Sequence, residues 1–287
     1  MQKEKMDKII KKVACINDIS CLGGASITEI IPILSAMGIR ACPVPTVVLS
    51  THSGGYENYT YKDLTSHMVE QGIHWKELDV KFDAIYSGFL GSAQQVVIVE
   101  DFIDTFKSST TKVVIDPVMG DDGVLYSSID ANLVEEIKKL VVKANIITPN
   151  LTEAYFLSDM KYKEVPSDKD IKNLIDKMLL LGPDSIVITS VPRPNGLLAT
   201  IVYENGQQLE ILTEKITADF PGTGDIFASI LVGALLNDQN LIEATKIAST
   251  FVKNAIAFSY KENYSHRSGV LLEACLPELY KFNKFNK

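Results

Sequence analysis

Gly222-Thr223-Gly224-Asp225 stands directly ahead of an apolar stretch in which Ile226, Phe227, Ile230 and Leu231 recur at helical spacing. The two glycines open backbone φ values closed to other residues. A helix that starts at such a turn points its unbonded first-turn N–H groups outward, which suits a phosphate. Asp225 falls in that first turn. Its carboxylate can favour the positive end of the helix dipole, or it can take the proton of a hydroxyl that attacks phosphorus. The residue types leave both readings open.

Phosphoryl transfer also calls for a divalent ion, and Mg²⁺ uses one or two protein carboxylates while keeping most of its waters. Asp116, followed by Pro117 at a strand end, and Glu153, which opens the helix after Thr148-Pro149-Asn150, are the candidates. Asn150 reads as an N-cap with Glu153 at the third helical position, so Glu153 can serve a capping box, a hydrated cation, or both. Gly23-Gly24 is a weaker signal, either a helix entry or a close approach of backbone to a ligand. The run Met119-Gly120-Asp121-Asp122-Gly123-Val124-Leu125-Tyr126 reads as a flap over phosphates or a solvated connection. His52, His67, His74 and His266 show no convergent partners, and Trp75 reads as packing. A Gly-x-x-x-x-Gly-Lys-Ser/Thr loop and a Gly-x-Gly-x-x-Gly turn are both missing, so the P-loop and dinucleotide readings lack their defining residues.

Short apolar, β-branched runs at 13–16, 41–49, 84–86, 112–115, 145–148 and 185–189 alternate with amphipathic stretches. Runs that are apolar throughout suit parallel strands covered on both faces, and the alternation predicts a doubly wound α/β sheet. The segments 197–203 and 208–213 flank Glu204-Asn205-Gly206-Gln207 and predict an antiparallel hairpin at the sheet edge. Beyond Thr223 the pattern predicts helices at 225–236, 241–260 and 270–282. Several strands end in polar residues: Asn17-Asp18, Asp116, Thr148-Pro149-Asn150 and Thr189-Ser190. In an open parallel sheet such ends face one crevice.

With 287 residues and 46% hydrophobic content, the chain can bury a large core and reads as one domain over 1–287. Its 36 acidic against 28 basic residues give a net charge of −8, which argues against a nucleic-acid partner. Cys15, Cys21, Cys42 and Cys275 form no Cys-x-x-Cys pair, so reduced thiols in a cytoplasmic protein are expected and zinc is not. Residues 1–12 are lysine-rich, and the apolar run that follows is too short for a leader core or a membrane span; a soluble protein is expected.

Five blocks occur in the order seen in pyridoxal kinases of the ribokinase-like superfamily, and the chain resembles that family over most of its length. They are Tyr86-Ser87-Gly88-Phe89-Leu90-Gly91-Ser92, Asp116-Pro117-Val118-Met119-Gly120, Ile147-Thr148-Pro149-Asn150-Leu151-Thr152-Glu153, Val187-Ile188-Thr189-Ser190 and Gly222-Thr223-Gly224-Asp225. The resemblance implies a ribokinase-like three-layer fold, mostly parallel with the edge hairpin, and an ATP-dependent kinase acting on the 5′-hydroxymethyl group of a vitamin B6 vitamer. It implies Asp225 as the base and Gly222, Thr223 and Gly224 as the anion hole. Asp116 and Glu153 would hold Mg²⁺ and the ATP phosphates, and Thr148 and Thr189, with Asp116, match positions that bind K⁺ in some members. Asn150 and Ser190 fall on the nucleotide side; Asp18, Thr46 and Phe89 fall near the vitamin. A homodimer is implied as well.

The opening Ile16-Asn17-Asp18-Ile19-Ser20 departs from the Gln-Ser-His stretch of better-known members and is closer to hydroxymethylpyrimidine kinases of thiamine synthesis. Those enzymes, however, usually place a Cys after Gly-Thr-Gly, where this chain has Asp225. Hydroxymethylpyrimidine kinase is thus one alternative, and a vitamer-binding protein without turnover is another.

Overall fold

The structure, a computed structural model, describes residues 10–194 and 196–286; most of the lysine-rich opening run lies outside them. Six strands run parallel in the order β9-β8-β5-β4-β1-β2. They are β1 (Lys12–Ser20), β2 (Arg40–Leu49), β4 (Ala84–Ser87), β5 (Lys112–Ile115), β8 (Ile146–Ile147) and β9 (Ser185–Pro192). Their apolar runs split residue by residue between two cores. Ala14, Ile16, Ile85, Val113, Ile115, Ile147, Ile186 and Ile188 face one, while Val13, Cys15, Ala84, Tyr86, Val114, Ile146 and Val187 face the other. Covering both faces is what removes the polar half of the alternation.

The first core is closed by α2 (Thr65–Glu77), α3 (Ala93–Phe106), α4 (Ala131–Val141), α5 (Leu151–Leu157) and α6 (Asp168–Leu179). Trp75 packs here against Phe82 and Phe102, as its reading as packing requires. The second core is closed by α1 (Ile27–Ala36), α7 (Thr223–Leu236) and α8 (Leu241–Lys261). Every residue of α7 from Ile226 to Leu236 is buried. A helix apolar all round belongs in the interior, and the burial of its body fixes where its amino end can lie. Among the described residues, no helix is long and apolar enough to cross a membrane.

The expected edge hairpin is β10 (Leu197–Glu204) with β11 (Gln207–Glu214). Asn205 and Gly206 have φ of 51° and 79°, the two positive values a type I′ turn requires. At the other edge a strand absent from the sequence reading, β3 (Tyr61–Asp63), pairs antiparallel to β2; three exposed residues give too short a pattern to read. The acidic stretch at 119–126 is a second small sheet, β6 (Gly120–Asp121) with β7 (Val124–Leu125). The helix expected over 270–282 is broken into α9 (Leu272–Cys275) and 3₁₀ turns, where Pro277 lacks an N–H and the tighter turn takes over.

Leu34 on α1 is fully buried in the second core, whereas Leu180 after α6 is 86% exposed. Leu34→Ala should therefore lower the free energy of unfolding by about 2–5 kcal/mol and Leu180→Ala by less than about 0.5 kcal/mol, measured by urea denaturation.

Candidate active site

The carboxyl end of β1 is irregular, with a register shift against β2 between Asn17 and Ile19. This places Asn17 and Asp18, both buried, at the edge of the crevice. Asn17 Nδ2 donates to Asp225 Oδ1 at 2.8 Å, while Asn17 Oδ1 accepts from the backbone N–H of Phe89 at 2.9 Å and of Asp18 at 3.0 Å. The second oxygen, Asp225 Oδ2, accepts from the Ser26 N–H at 2.9 Å. Asp225 thus has one donor on each oxygen, and the plane of its carboxylate is fixed. Asp18 accepts from the Ser26 hydroxyl at 2.5 Å and the Ser20 hydroxyl at 2.9 Å.

Gly222 caps α7 at φ 79°, and a Cβ there would overlap the carbonyl of Gly24. Gly269, at φ 76°, stands against the same carbonyl, and Gly24 N–H donates to Ser268 O at 2.9 Å. The Gly23-Gly24 pair therefore serves a crossing of three backbone segments. By helix geometry the N–H groups of Thr223, Gly224 and Asp225 lack partners inside α7 and open into the cleft. A Cβ on Gly224 would stand 3.9 Å from Asp116 Oδ2, so Asp116 lies across from this first turn.

Asn150 and Glu153 form a capping box: Asn150 Oδ1 accepts from Glu153 N–H at 2.9 Å, and Glu153 Oε2 accepts from Asn150 N–H at 2.8 Å. Glu153 Oε1 accepts from Met119 N–H at 3.0 Å, and Asn150 Nδ2 donates to Gly120 O at 2.8 Å. The acidic hairpin is held to α5 at one further point, Gly123 N–H to Thr152 Oγ1 at 2.9 Å. Thr189 N–H donates to Pro149 O at 2.9 Å. Ser190 has φ 57° opposite a register shift between Ala199 and Ile201, a bulge that leaves it exposed at the cleft end of β9.

All four carboxyls are raised by burial, and three of them by a neighbour's charge as well. Burial first, and then the charge of Asp18, push Asp225 up to about 6, against the pull of the Ser26 and Asn17 donors. Burial and Asp225 push Asp116 up to about 8. Burial and Asp116 push Glu153 well up, opposed by the Asn150 and Met119 N–H groups. Asp18 is raised by burial and pulled down by the Ser26 and Ser20 hydroxyls. Shifts of this kind, from desolvation plus like charge in a cleft, mark a place built for a cation or a proton.

The donor set fits a hydrated divalent ion. Thr148 Oγ1 is buried without a partner, Asp116 lies in the same pocket of charge, and both Glu153 oxygens already accept N–H bonds, so Glu153 would reach an ion through water. Among the described residues no group of three or more His, Cys, Asp or Glu side chains could hold a metal directly. Thr46 is fully buried with its hydroxyl on the Phe89 carbonyl at 3.1 Å, so it props Phe89, which is half-buried.

Spacing alone missed Asn17 and Ser26 as partners of Asp225, and it missed two histidines. His52 is buried; its Nδ1 accepts from Gly54 N–H at 3.1 Å, so Nε2 carries the proton and donates to Arg267 O at 2.7 Å. Arg267 in turn lies over Tyr56, which meets the His52 ring edge-on. His266 stacks on Phe220 and bonds Asp219 O at 2.7 Å. Only the polar end of β1 gave a signal, for Asn17; the rest are contacts between distant segments.

A carboxylate pinned at a helix start, facing an acidic pair across the carboxyl edge of this sheet, belongs to the ribokinase-like small-molecule kinases. Comparisons with known proteins agree. The sequence profile of the phosphomethylpyrimidine kinase family matches residues 20–270, and the chain belongs to that family. It is 30% identical over 228 residues to a pyridoxal kinase of Arabidopsis thaliana, covering 75% of this chain and 71% of that one. A Bacteroides thetaiotaomicron protein provisionally named a phosphomethylpyrimidine kinase, solved with pyridoxal, superposes with a TM-score of 0.90 at 39% identity, over 94% of this chain and 96% of that one. Pyridoxal kinase from Lactobacillus plantarum gives 0.89 at 26% identity, over 96% and 98%.

Because Asp116 and Asp225 hold their protons more tightly folded than unfolded, the unfolded chain ionises first and stability falls as pH rises from the ordinary carboxyl range through about 6 and 8. The ligand-free protein should show a higher urea midpoint near pH 5.5 than near pH 8, and Asp116→Asn should shrink the difference.

Proposed function

We propose that the protein transfers the γ-phosphoryl group of ATP to the 5′-hydroxymethyl group of pyridoxal, pyridoxamine or pyridoxine. The observation that carries this reading is the Asp225 carboxylate, gripped on both oxygens by Asn17 and Ser26 at the amino end of α7. The vitamer lies against Asp18 and Phe89, with Thr46 behind, and presents its hydroxyl to Asp225. That oxygen attacks the γ-phosphorus, the bond to the β–γ bridging oxygen breaks, ADP leaves, and the hydroxyl proton passes to Asp225. The amides at the start of α7, from Gly222 through Thr223 and Gly224 to Asp225, take the charge that grows on the phosphoryl oxygens.

Asp116 directly, and Glu153 through water, would hold Mg²⁺, which when bound neutralises phosphate charge. Thr148 and Thr189 beside Asp116 suit a monovalent cation such as K⁺. Ser190 meets the nucleotide phosphates, while Asn150, already committed to the cap and to Gly120, shapes the wall of the nucleotide side. One chain from residue 1 to 287 would form a single catalytic domain, and a cytoplasmic homodimer goes with this reading. The family profile and the Asn17-Asp18 opening favour a second reading, phosphorylation of hydroxymethylpyrimidine at the same site.

An ADP-release assay over the three vitamers and hydroxymethylpyrimidine, with and without K⁺, decides the substrate; turnover on none of the vitamers contradicts the reading. Asp225→Asn should lower kcat by about 10²-fold or more. In the wild type, turning over with Mg²⁺ and ATP, kcat should fall on the acid side at or below about 6, as Asp225 takes up a proton. A kcat that stays flat down through the ordinary aspartate range would remove Asp225 from the role.

A further inference from the structure

Ser26 is the one non-glycine residue of the site's front loop held at φ 59° with ψ −137°, a conformation glycine adopts readily and serine does not. It precedes α1, yet its hydroxyl makes no cap bond to its own helix. That hydroxyl goes instead to Asp18 Oδ1 at 2.5 Å, while the backbone N–H of the same residue goes to Asp225 Oδ2 at 2.9 Å. Its carbonyl is taken by the N–H groups of Glu29 and Ile30, each at 3.0 Å, and it bridges to Ile19 of β1. The residue is 6% exposed. A side chain that were only filler would be replaced here by glycine at no conformational cost.

We infer that Ser26 is a positioning residue, its hydroxyl anchored on Asp18 so that its N–H is held on the second oxygen of Asp225. Asn17 secures only the first oxygen, and about that single bond the carboxylate is free to pivot away from the substrate hydroxyl. Asp18 thereby acts at a distance on Asp225, through one serine, in addition to lining the vitamer side. The inference rests on Asp225 being the base.

The test uses the full chain with Ser26→Gly, Asp18→Asn, the double variant and Asp225→Asn as control, read by kcat and by KM for ATP. Ser26→Gly keeps the N–H and relieves the backbone, which offsets part of the lost bond to Asp18, so the protein stays folded, as circular dichroism and thermal unfolding check. Its kcat should nevertheless fall about 5- to 50-fold, with KM for ATP changed less than about twofold. The double variant should lose no more kcat than the worse single variant, because both remove one anchor. Wild-type kcat in Ser26→Gly, or losses that multiply in the double variant, overturn the inference while an inactive Asp225→Asn leaves the base in place. Near-normal turnover in Asp225→Asn would instead overturn the proposed base itself.

Discussion

Four acidic side chains are packed into one cleft at the ends of β1, β5 and β8, and their mutual repulsion is the constraint on which the rest of the site depends. Asp18, Asp116 and Glu153 are each buried, and Asp225 lies among them. Burial penalises every charge, and the charges of Asp18, Asp225 and Asp116 each penalise a neighbour, so protons are held above the ordinary carboxyl range. Donated hydrogen bonds offset part of this cost: two hydroxyls on Asp18, two N–H groups on Glu153, one donor on each oxygen of Asp225. What remains uncompensated lies around Asp116 and the unpartnered Thr148 hydroxyl, and a cation bound there would relieve it.

Holding such a cluster together requires a rigid frame. The body of α7 is buried between sheet and helices, so its amino end cannot retreat from Asp116. In front of it, Gly24, Gly222 and Gly269 let three backbone segments touch where any side chain would hold them apart. The opening they leave is lined by amide N–H groups on one side and carboxyls on the other, the contrast that phosphoryl transfer from an anionic donor to an alcohol needs.

Much of this was legible because it is local. The apolar runs gave the parallel strands, the Asn205-Gly206 turn gave the hairpin, Asn150 with Glu153 gave the capping box, and Gly222 to Asp225 gave the helix start. Glu153, read as cap or cation ligand, is a cap in the structure, which leaves room for a water-bridged ion. The partners of Asp225 were not legible, since Asn17 and Ser26 lie about two hundred positions away and only tertiary folding brings them in. The short β3 and the β6–β7 pair carry too few residues for a periodic signal, and one proline undid the expected C-terminal helix.

The most direct measurement is a carbon-13 NMR titration of the aspartate carboxyls in the ligand-free protein, with Asp225 assigned by its loss in Asp225→Asn and the series repeated with Mg²⁺. The account predicts a midpoint for Asp225 near 6 that moves down when Mg²⁺ is added. An ordinary aspartate midpoint, indifferent to the ion, would contradict it.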